Sequence, residues 1–189
     1  MNRFLKIKEY NDNVLKYDFS LRYFCPNNYY SLRIKKINIQ ILLSEILINE
    51  NLFFFIISIL KIISYQHSLP IFSKKAIANF SLKKHMIIGA IVCLRKLSLL
   101  CFISKFQNLL NQNLDLSKNY TYKEAENNLL NITIGLKNIS VFPEIESQFS
   151  KISRKIGADI MFTFFINLRL KKNKFIYIKQ HLNAIQLLI

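Results

Sequence analysis

Residues 34–42 read IKKINIQIL, and the alternation in this stretch decides the fold. Every second residue from position 37 is isoleucine, with polar residues between: Ile37, Asn38, Ile39, Gln40 and Ile41. Successive side chains of a strand point to opposite faces, so one face of this strand is apolar and the other polar. The stretch therefore predicts a strand in a sheet that is covered on one side and free on the other.

The segments around this strand predict a mixture of helices and further strands. Helices are predicted at 11–23, 44–65, 97–110 and 175–188, and strands at 69–73, 87–95, 131–142 and 159–167. The Asn-rich segment 111–131 is predicted to be a long loop. Short connections between paired strands favour an α+β fold, in which a mostly antiparallel sheet has its helices packed on one face.

The length of 189 residues suits a single domain spanning residues 1–189. Within it we expect an N-terminal helix at about 10–23, a core at about 31–167 and a C-terminal helix at about 175–188. Glycine- or proline-rich linkers and internal repeats are missing from the sequence.

Charge and composition narrow the class of partner. Lys and Arg number 27 against 11 Asp and Glu, which gives +16, while 51% of the residues are hydrophobic. A chain with enough apolar residues for a core and this much positive charge points to a polyanion or an anionic membrane surface as its partner. About half of the residues are Ile, Asn, Lys, Phe or Tyr. Their codons are rich in A and T, which suggests a compact genome such as that of an organelle.

Several function classes lack their sequence signals. The three cysteines have no CxxC spacing and the three histidines are scattered, so we expect neither a metal nor a cofactor. No catalytic motif is present, and we do not expect an enzyme. The run Leu52–Ile63 (LFFFIISILKII) is apolar, but polar residues interrupt the wider segment 41–63. A buried helix is favoured over a membrane span, and residues 1–10 do not read as a signal peptide.

Two blocks of sequence resemble the large-subunit ribosomal protein five family. The first begins at Gln66 and includes a Lys-rich loop and turn at 74–80 (KKAIANF) and a strand at 89–95 (GAIVCLR). The second is IGLK at 134–137 with VFPEI at 141–145, which is similar to the family's Gly-to-Phe-Pro-Glu-Ile block. Gly157 with Asp159-Ile160, and the first strand from Arg33 to Leu42, resemble further family segments. These similarities follow in order from about Tyr10 to Ile166.

The resemblance implies a structural RNA-binding protein in the central protuberance of the large ribosomal subunit. It implies binding of 5S rRNA and a nearby helix of the large rRNA, a loop that reaches the P-site tRNA, and contact with small-subunit protein thirteen. The rRNA-binding positions that it implies are Arg33, Lys36, Gln40, Gln66, Cys93 and Arg95. The positions implied for the tRNA-facing loop are Lys74, Lys75, Asn79, Lys83 and Lys84.

The chemistry of these side chains supports some of the implied RNA contacts more strongly than others. Four ammonium groups around a short loop attract phosphate and release counterions, although lysines at loop ends are often simply solvated. The family has glycine at position 79, and Asn79 is expected to tolerate a left-handed turn. Cys93 replaces a threonine hydroxyl with a weak thiol donor, and it is equally readable as a small core residue. Gln40 keeps the amide of the family's asparagine.

Two segments depart from the family or carry weaker signals. Segment 111–131 lacks the family's Arg and Gly residues, so the family's RNA contacts are not expected in this segment. Tyr120 and Tyr122 could stack on RNA bases or could anchor the loop. The basic stretch 169–179 is readable as phosphate-binding or as a solvated helix start.

The function expected from the sequence is that of a ribosomal protein in the mitochondrial matrix, with a plastid as the alternative. Two rival functions stay open. One is a basic peripheral membrane protein that inserts Phe53–Phe55 (FFF) into anionic lipid, and the other is a small RNA-processing enzyme.

Overall fold

The computed structural model describes residues 9–10, 13–14, 17–18, 21, 33–47, 49–112, 120–125, 129–149 and 156–165. The predicted C-terminal helix and the basic stretch 169–179 lie outside the described residues, as does most of the predicted N-terminal helix. The strands are β1 Arg33–Leu42, β2 Leu69–Phe72, β3 Ile87–Leu94, β4 Tyr120–Ala125, β5 Leu129–Leu136 and β6 Ala158–Phe165. The α-helices are α1 Asn51–Ser64, α2 Lys96–Gln112 and α3 Pro143–Phe149. Short 3-10 turns occupy Ser44–Leu47, Ala78–Phe80 and Ile139–Val141.

The described strands form one six-stranded sheet in the order β2-β3-β1-β6-β5-β4. β2 runs antiparallel to β3, with Leu69 opposite Ile91, and β4 runs antiparallel to β5, with Tyr120 opposite Ile134. The predicted α+β class with an antiparallel sheet is confirmed.

Burial alternates along the strands as the sequence predicts. In β1, Ile37, Ile39 and Ile41 are at most 1% exposed, whereas Lys36 and Gln40 between and beside them are half-buried. β5 repeats the pattern, with every second residue from Leu130 to Leu136 buried. In β1 and β5, one face therefore supplies core and the other keeps partial access to solvent.

The chain divides into two compact units, each assembled from separate segments. The described residues of 1–37, 95–134 and 161–189 form the first unit. In it the ring of Phe106 on α2 lies 5.9 Å from that of Phe102 and 5.8 Å from that of Phe162 on β6. Segments 38–94 and 135–160 form the second unit, in which α1 packs on β3 and α3. The expectation of a single domain stays a prediction.

Two predicted elements are shorter than expected. The helix predicted at 44–65 is split into the 3-10 turn Ser44–Leu47 and α1, which begins at Asn51 after the polar Asn49-Glu50 pair. α1 ends where Tyr65 takes a left-handed conformation at φ 54°. The strand predicted at 131–142 ends at Leu136.

Two elements were not predicted. Segment 111–131 was expected to be a loop, and that is wrong for β4 and for the start of β5, because cross-strand pairing overrides the polar composition of YTYKEA. α3 was also missed; it starts at Pro143, where proline suits the first turn of a helix because its missing N–H has no helical partner there. Within the described ranges, every helix is too short or too polar to cross a bilayer.

Candidate nucleic-acid interface

The loop between β2 and β3 is a small hairpin with a 3-10 turn at its tip. Ile77 and Leu82 exchange two backbone hydrogen bonds, of 2.9 and 3.1 Å from N to O. Between them lie the 3-10 turn and then Ser81, which is left-handed at φ 52°. The expectation that Asn79 takes the left-handed position is wrong, because Asn79 lies inside the 3-10 turn and Ser81 reverses the chain instead. Asn79 is exposed near the tip.

Ser73 closes the base of this loop. Its hydroxyl donates to the carbonyl of Lys83 at 2.5 Å and accepts from the amide of Met86 at 3.0 Å. Its backbone N–H donates to the carbonyl of Met86 at 2.9 Å, and its carbonyl accepts from His85 N at 3.0 Å. Only 4% of Ser73 is exposed. Four hydrogen bonds on one buried residue hold the two arms of the loop together.

The four lysines of the loop lie next to this base, two on each arm. Lys74 and Lys75 follow Ser73 directly, and Lys83 and Lys84 precede Met86; all four side chains are exposed. Nothing in the described part of the chain pairs an acidic side chain with any of them. The structure thus brings together the four predicted charges, with their ammonium groups available to phosphate.

Gln40 on β1 is held by a carboxylate that sequence reasoning did not single out. Its Nε2 donates to Oδ2 of Asp159 on β6 at 3.3 Å, and both side chains are half-buried. With its amide N–H engaged, Gln40 presents its Oε1 as an acceptor for a hydroxyl or an N–H group. Asp159 repels phosphate, so the pair favours contact with ribose or base edges over the backbone. The only sequence signal for Asp159 was its place in the segment Gly157–Ile160, which resembles a segment of the family.

The other predicted rRNA-binding residues lie on several elements. Cys93 is exposed on β3, opposite in direction to the buried Val92 and Leu94, so the reading of Cys93 as a core residue is wrong. Gln66 is half-buried after α1, and its backbone N–H donates to Ser64 Oγ at 3.2 Å. These two residues and Gln40 belong to the second unit.

Arg33, Lys36 and Arg95 belong to the first unit. Arg33 opens β1, Lys36 is half-buried on β1, and Arg95 is exposed directly after β3. Tyr120 and Tyr122 were expected in a loop, but they lie on strand β4, opposite Ile134 and Ile132. In the described ranges, groups of three or more His, Cys, Asp or Glu side chains that would hold a metal ion are not found.

Comparison with known proteins finds large ribosomal subunit proteins among the relatives of this chain. The "Large ribosomal subunit protein uL5m" of Reclinomonas americana is 29% identical over 161 residues, which cover 85% of this chain and 86% of that protein. The "Large ribosomal subunit protein uL5" of Clostridium tetani is 30% identical over 130 residues, or 69% of this chain and 71% of that protein. The uL5 of Clostridium perfringens strain SM101 is 29% identical over the same shares. None of the protein-family profiles matches the chain.

Proposed function

Because this chain belongs to the uL5 family of large ribosomal subunit proteins, we propose that it binds ribosomal RNA in the central protuberance and reaches its β2–β3 loop to the P-site tRNA. The relatives are ribosomal proteins rather than enzymes, and the role proposed for this chain is likewise structural. The partners are the large-subunit rRNA, 5S rRNA where it exists, the P-site tRNA and small-subunit protein thirteen.

The exposed, lysine-flanked loop with a pinned base is the observation that carries the proposal. Lys74, Lys75, Lys83 and Lys84 have no competing carboxylates in the described part of the chain, and Ser73 fixes the two arms from which they extend. A fixed set of cations binds phosphate with less loss of chain entropy than a free loop does. Asn79 near the exposed tip is the polar contact proposed for tRNA.

The half-exposed polar face of the second unit supports 5S rRNA binding. Gln40, oriented by Asp159, offers an acceptor to ribose hydroxyls, and Gln66 and Cys93 are accessible. We assign the remaining cationic contacts to Arg33, Lys36 and Arg95, since phosphate contacts position a protein on folded RNA without reading sequence.

The proposed location is the mitochondrial matrix, within the mitochondrial ribosome. One relative, aligned over 85% of the chain, is a uL5m, and the high content of Ile, Asn, Lys, Phe and Tyr fits an AT-rich organellar genome. A plastid is the alternative.

Replacing the four loop lysines tests the proposal. A variant with alanine at all four positions, Lys74→Ala, Lys75→Ala, Lys83→Ala and Lys84→Ala, removes up to four phosphate contacts. The plot of log K against log salt has a negative slope, and the magnitude of this slope is expected to fall by up to about 3–3.5. Because these side chains are exposed, the midpoint of urea unfolding is expected to stay unchanged. Binding of tRNA and of an rRNA fragment is measured by filter retention at several salt concentrations.

A control variant carries the same change in net charge elsewhere. Lys35, Lys61, Lys123 and Lys137 are exposed outside the loop, and their replacement by alanine is expected to leave most of the slope in place. Equal slopes for the two variants would show that the loop binds no phosphate. Sedimentation with the large subunit, released only at high salt, is expected for the whole protein; recovery in a carbonate-resistant membrane pellet would favour the membrane rival instead.

A further inference from the structure

An apolar groove of about 390 Å³ lies in the second unit, beside the start of α1. Its apolar lining comes from the 3-10 turn, from α1 and from the start of β3: Ile46, Leu47, Phe53, Phe54, Met86 and Ile87. A volume of this size is at the lower end of the range of protein pockets that hold small ligands.

The groove exposes an aromatic surface that the fold itself does not use. The buried face of α1 is made by Ile56, Ile59, Leu60 and Ile63. Phe54 points away from that face and is 66% exposed, with its ring 6.0 Å from that of Phe53. An aromatic pair of this kind in a concavity is typical of an anchor site, since burial of aromatic side chains dominates the energy of protein interfaces.

The charge of the groove differs in sign from that of the chain. Among the described residues that line it, Glu50 alone is charged, and this side chain is exposed and caps no backbone amide of α1. Glu45, also exposed, precedes it in the 3-10 turn. The described lining of the groove holds a carboxylate and no Lys or Arg, so the groove is less suited to phosphate or anionic lipid than the adjoining loop, which carries Lys83 and Lys84.

We propose that this groove binds an apolar segment of a basic protein neighbour, with apolar side chains against Phe53 and Phe54 and a Lys or Arg paired with Glu50. The charge selects the occupant: a basic and apolar peptide satisfies both features of the groove, and RNA satisfies only the rings. This protein-binding surface is additional to RNA binding, and it does not depend on which RNA the loop meets.

The first test uses the full chain and two synthetic peptides. One labelled peptide carries two leucines and an arginine, and the other has glutamate in place of the arginine. We expect the arginine peptide to bind more tightly by fluorescence anisotropy. Glu50→Lys is expected to weaken it about three- to tenfold and to favour the glutamate peptide, since an attraction becomes a repulsion of similar size. Glu146→Lys, at an exposed position on α3, is the matched control and is expected to change little.

A second variant separates apolar contact from charge. Phe54→Ser is expected to weaken both peptides at least tenfold without moving the urea midpoint, because the ring is mostly exposed in the free protein. Phe72→Ser, at another exposed phenylalanine, is its control. Equal binding of the two peptides, or no effect of Glu50→Lys and Phe54→Ser, overturns the proposal.

The third measurement is made in purified large subunits with a photo-crosslinking residue at position 54, and with position 58 on the exposed side of α1 as control. A crosslink from position 54 to an apolar and basic segment of a ribosomal protein, lost with Glu50→Lys, supports the groove. Crosslinks to RNA or to a second copy of this chain, or none at all, overturn it. If the chain does not sediment with large subunits, the proposed ribosomal function fails, while the peptide measurements still decide the groove.

Discussion

Ser73→Ala separates the geometry of the β2–β3 loop from its charge. The substitution removes one hydroxyl, leaves all four loop lysines in place and changes no net charge. It breaks the 2.5 Å bond to the carbonyl of Lys83 and the 3.0 Å bond from the amide of Met86. The backbone bonds between residues 73 and 86 remain, so the loop is expected to loosen at its base without losing the strand pairing of β2 and β3.

The size of the effect follows from burial. Ser73 is 4% exposed, and without its hydroxyl the Met86 amide keeps a long bond, of 3.5 Å, to the carbonyl of Lys83. At about 0.5–1.5 kcal/mol for each hydrogen bond, the loss of the two bonds costs about 1–3 kcal/mol. At about 2 kcal/mol, local opening at the loop base becomes about 30-fold more frequent, since 1.36 kcal/mol corresponds to a factor of ten.

Hydrogen exchange followed by mass spectrometry measures this opening directly. The peptide covering His85 and Met86 is expected to lose about 30-fold in protection, and tRNA affinity is expected to fall with an unchanged salt slope, because the phosphate contacts remain available. Ser104→Ala is the control: Ser104 is also buried, but its hydroxyl donates to Cys101 O within α2, far from this loop in sequence. Unchanged protection at 85–86 in the Ser73 variant, or a loss as large in the Ser104 variant at the same peptide, would refute the reasoning.

Two further predictions concern the sheet and its polar face. Gly89→Ala is expected to destabilise the fold by about 1–3 kcal/mol or more, because the added Cβ meets the backbone carbonyl of Ile41. Urea unfolding measures this loss of stability. The control is Gly135→Ala, where the nearest atom is 3.8 Å from the new Cβ, and it should cost clearly less. Cys93→Thr restores a hydroxyl on the exposed side of β3 and is expected to raise 5S rRNA affinity about two- to tenfold, the value of one hydrogen bond. Cys93→Val, of similar shape and without the hydroxyl, should give no gain, and a gain equal to that of threonine would contradict the hydroxyl contact.

Alternation was sufficient to predict the central strands. Ile37, Ile39 and Ile41 are at most 1% exposed, as their spacing in β1 predicts. The buried positions of β3 and β6 follow the same period except at Gly89 and Thr163, which are buried out of phase with it. The sequence of a half-buried strand shows which of its faces is buried, because each side chain must suit the face on which it lies. That information is local, and reading it needs no knowledge of the partner strand.

Elements whose stability comes from a partner were harder to predict. β4 (YTYKEA) is polar and borders an Asn-rich stretch, and its strand form depends on pairing with β5 over six residues. A left-handed conformation was expected to be tolerated at Asn79, because the family has glycine there. The structure places it at Ser81 instead, inside the Ile77–Leu82 pairing. The contact of Gln40 with Asp159 joins residues 119 positions apart, and no local pattern signals it.

Met86 connects the two surfaces proposed for the second unit. Its amide donates to Ser73 Oγ, its sulfur accepts from Lys83 N at 3.2 Å, and it lines the apolar groove. A segment bound in the groove therefore contacts a residue that closes the base of the cationic loop. By thermodynamic linkage, an occupant that favours the closed position of Met86 strengthens RNA binding by the loop, and RNA strengthens the occupant by the same factor. The proposed protein-binding groove and the proposed RNA-binding loop thus share Met86, whose side chain lines one and whose amide bonds at the base of the other.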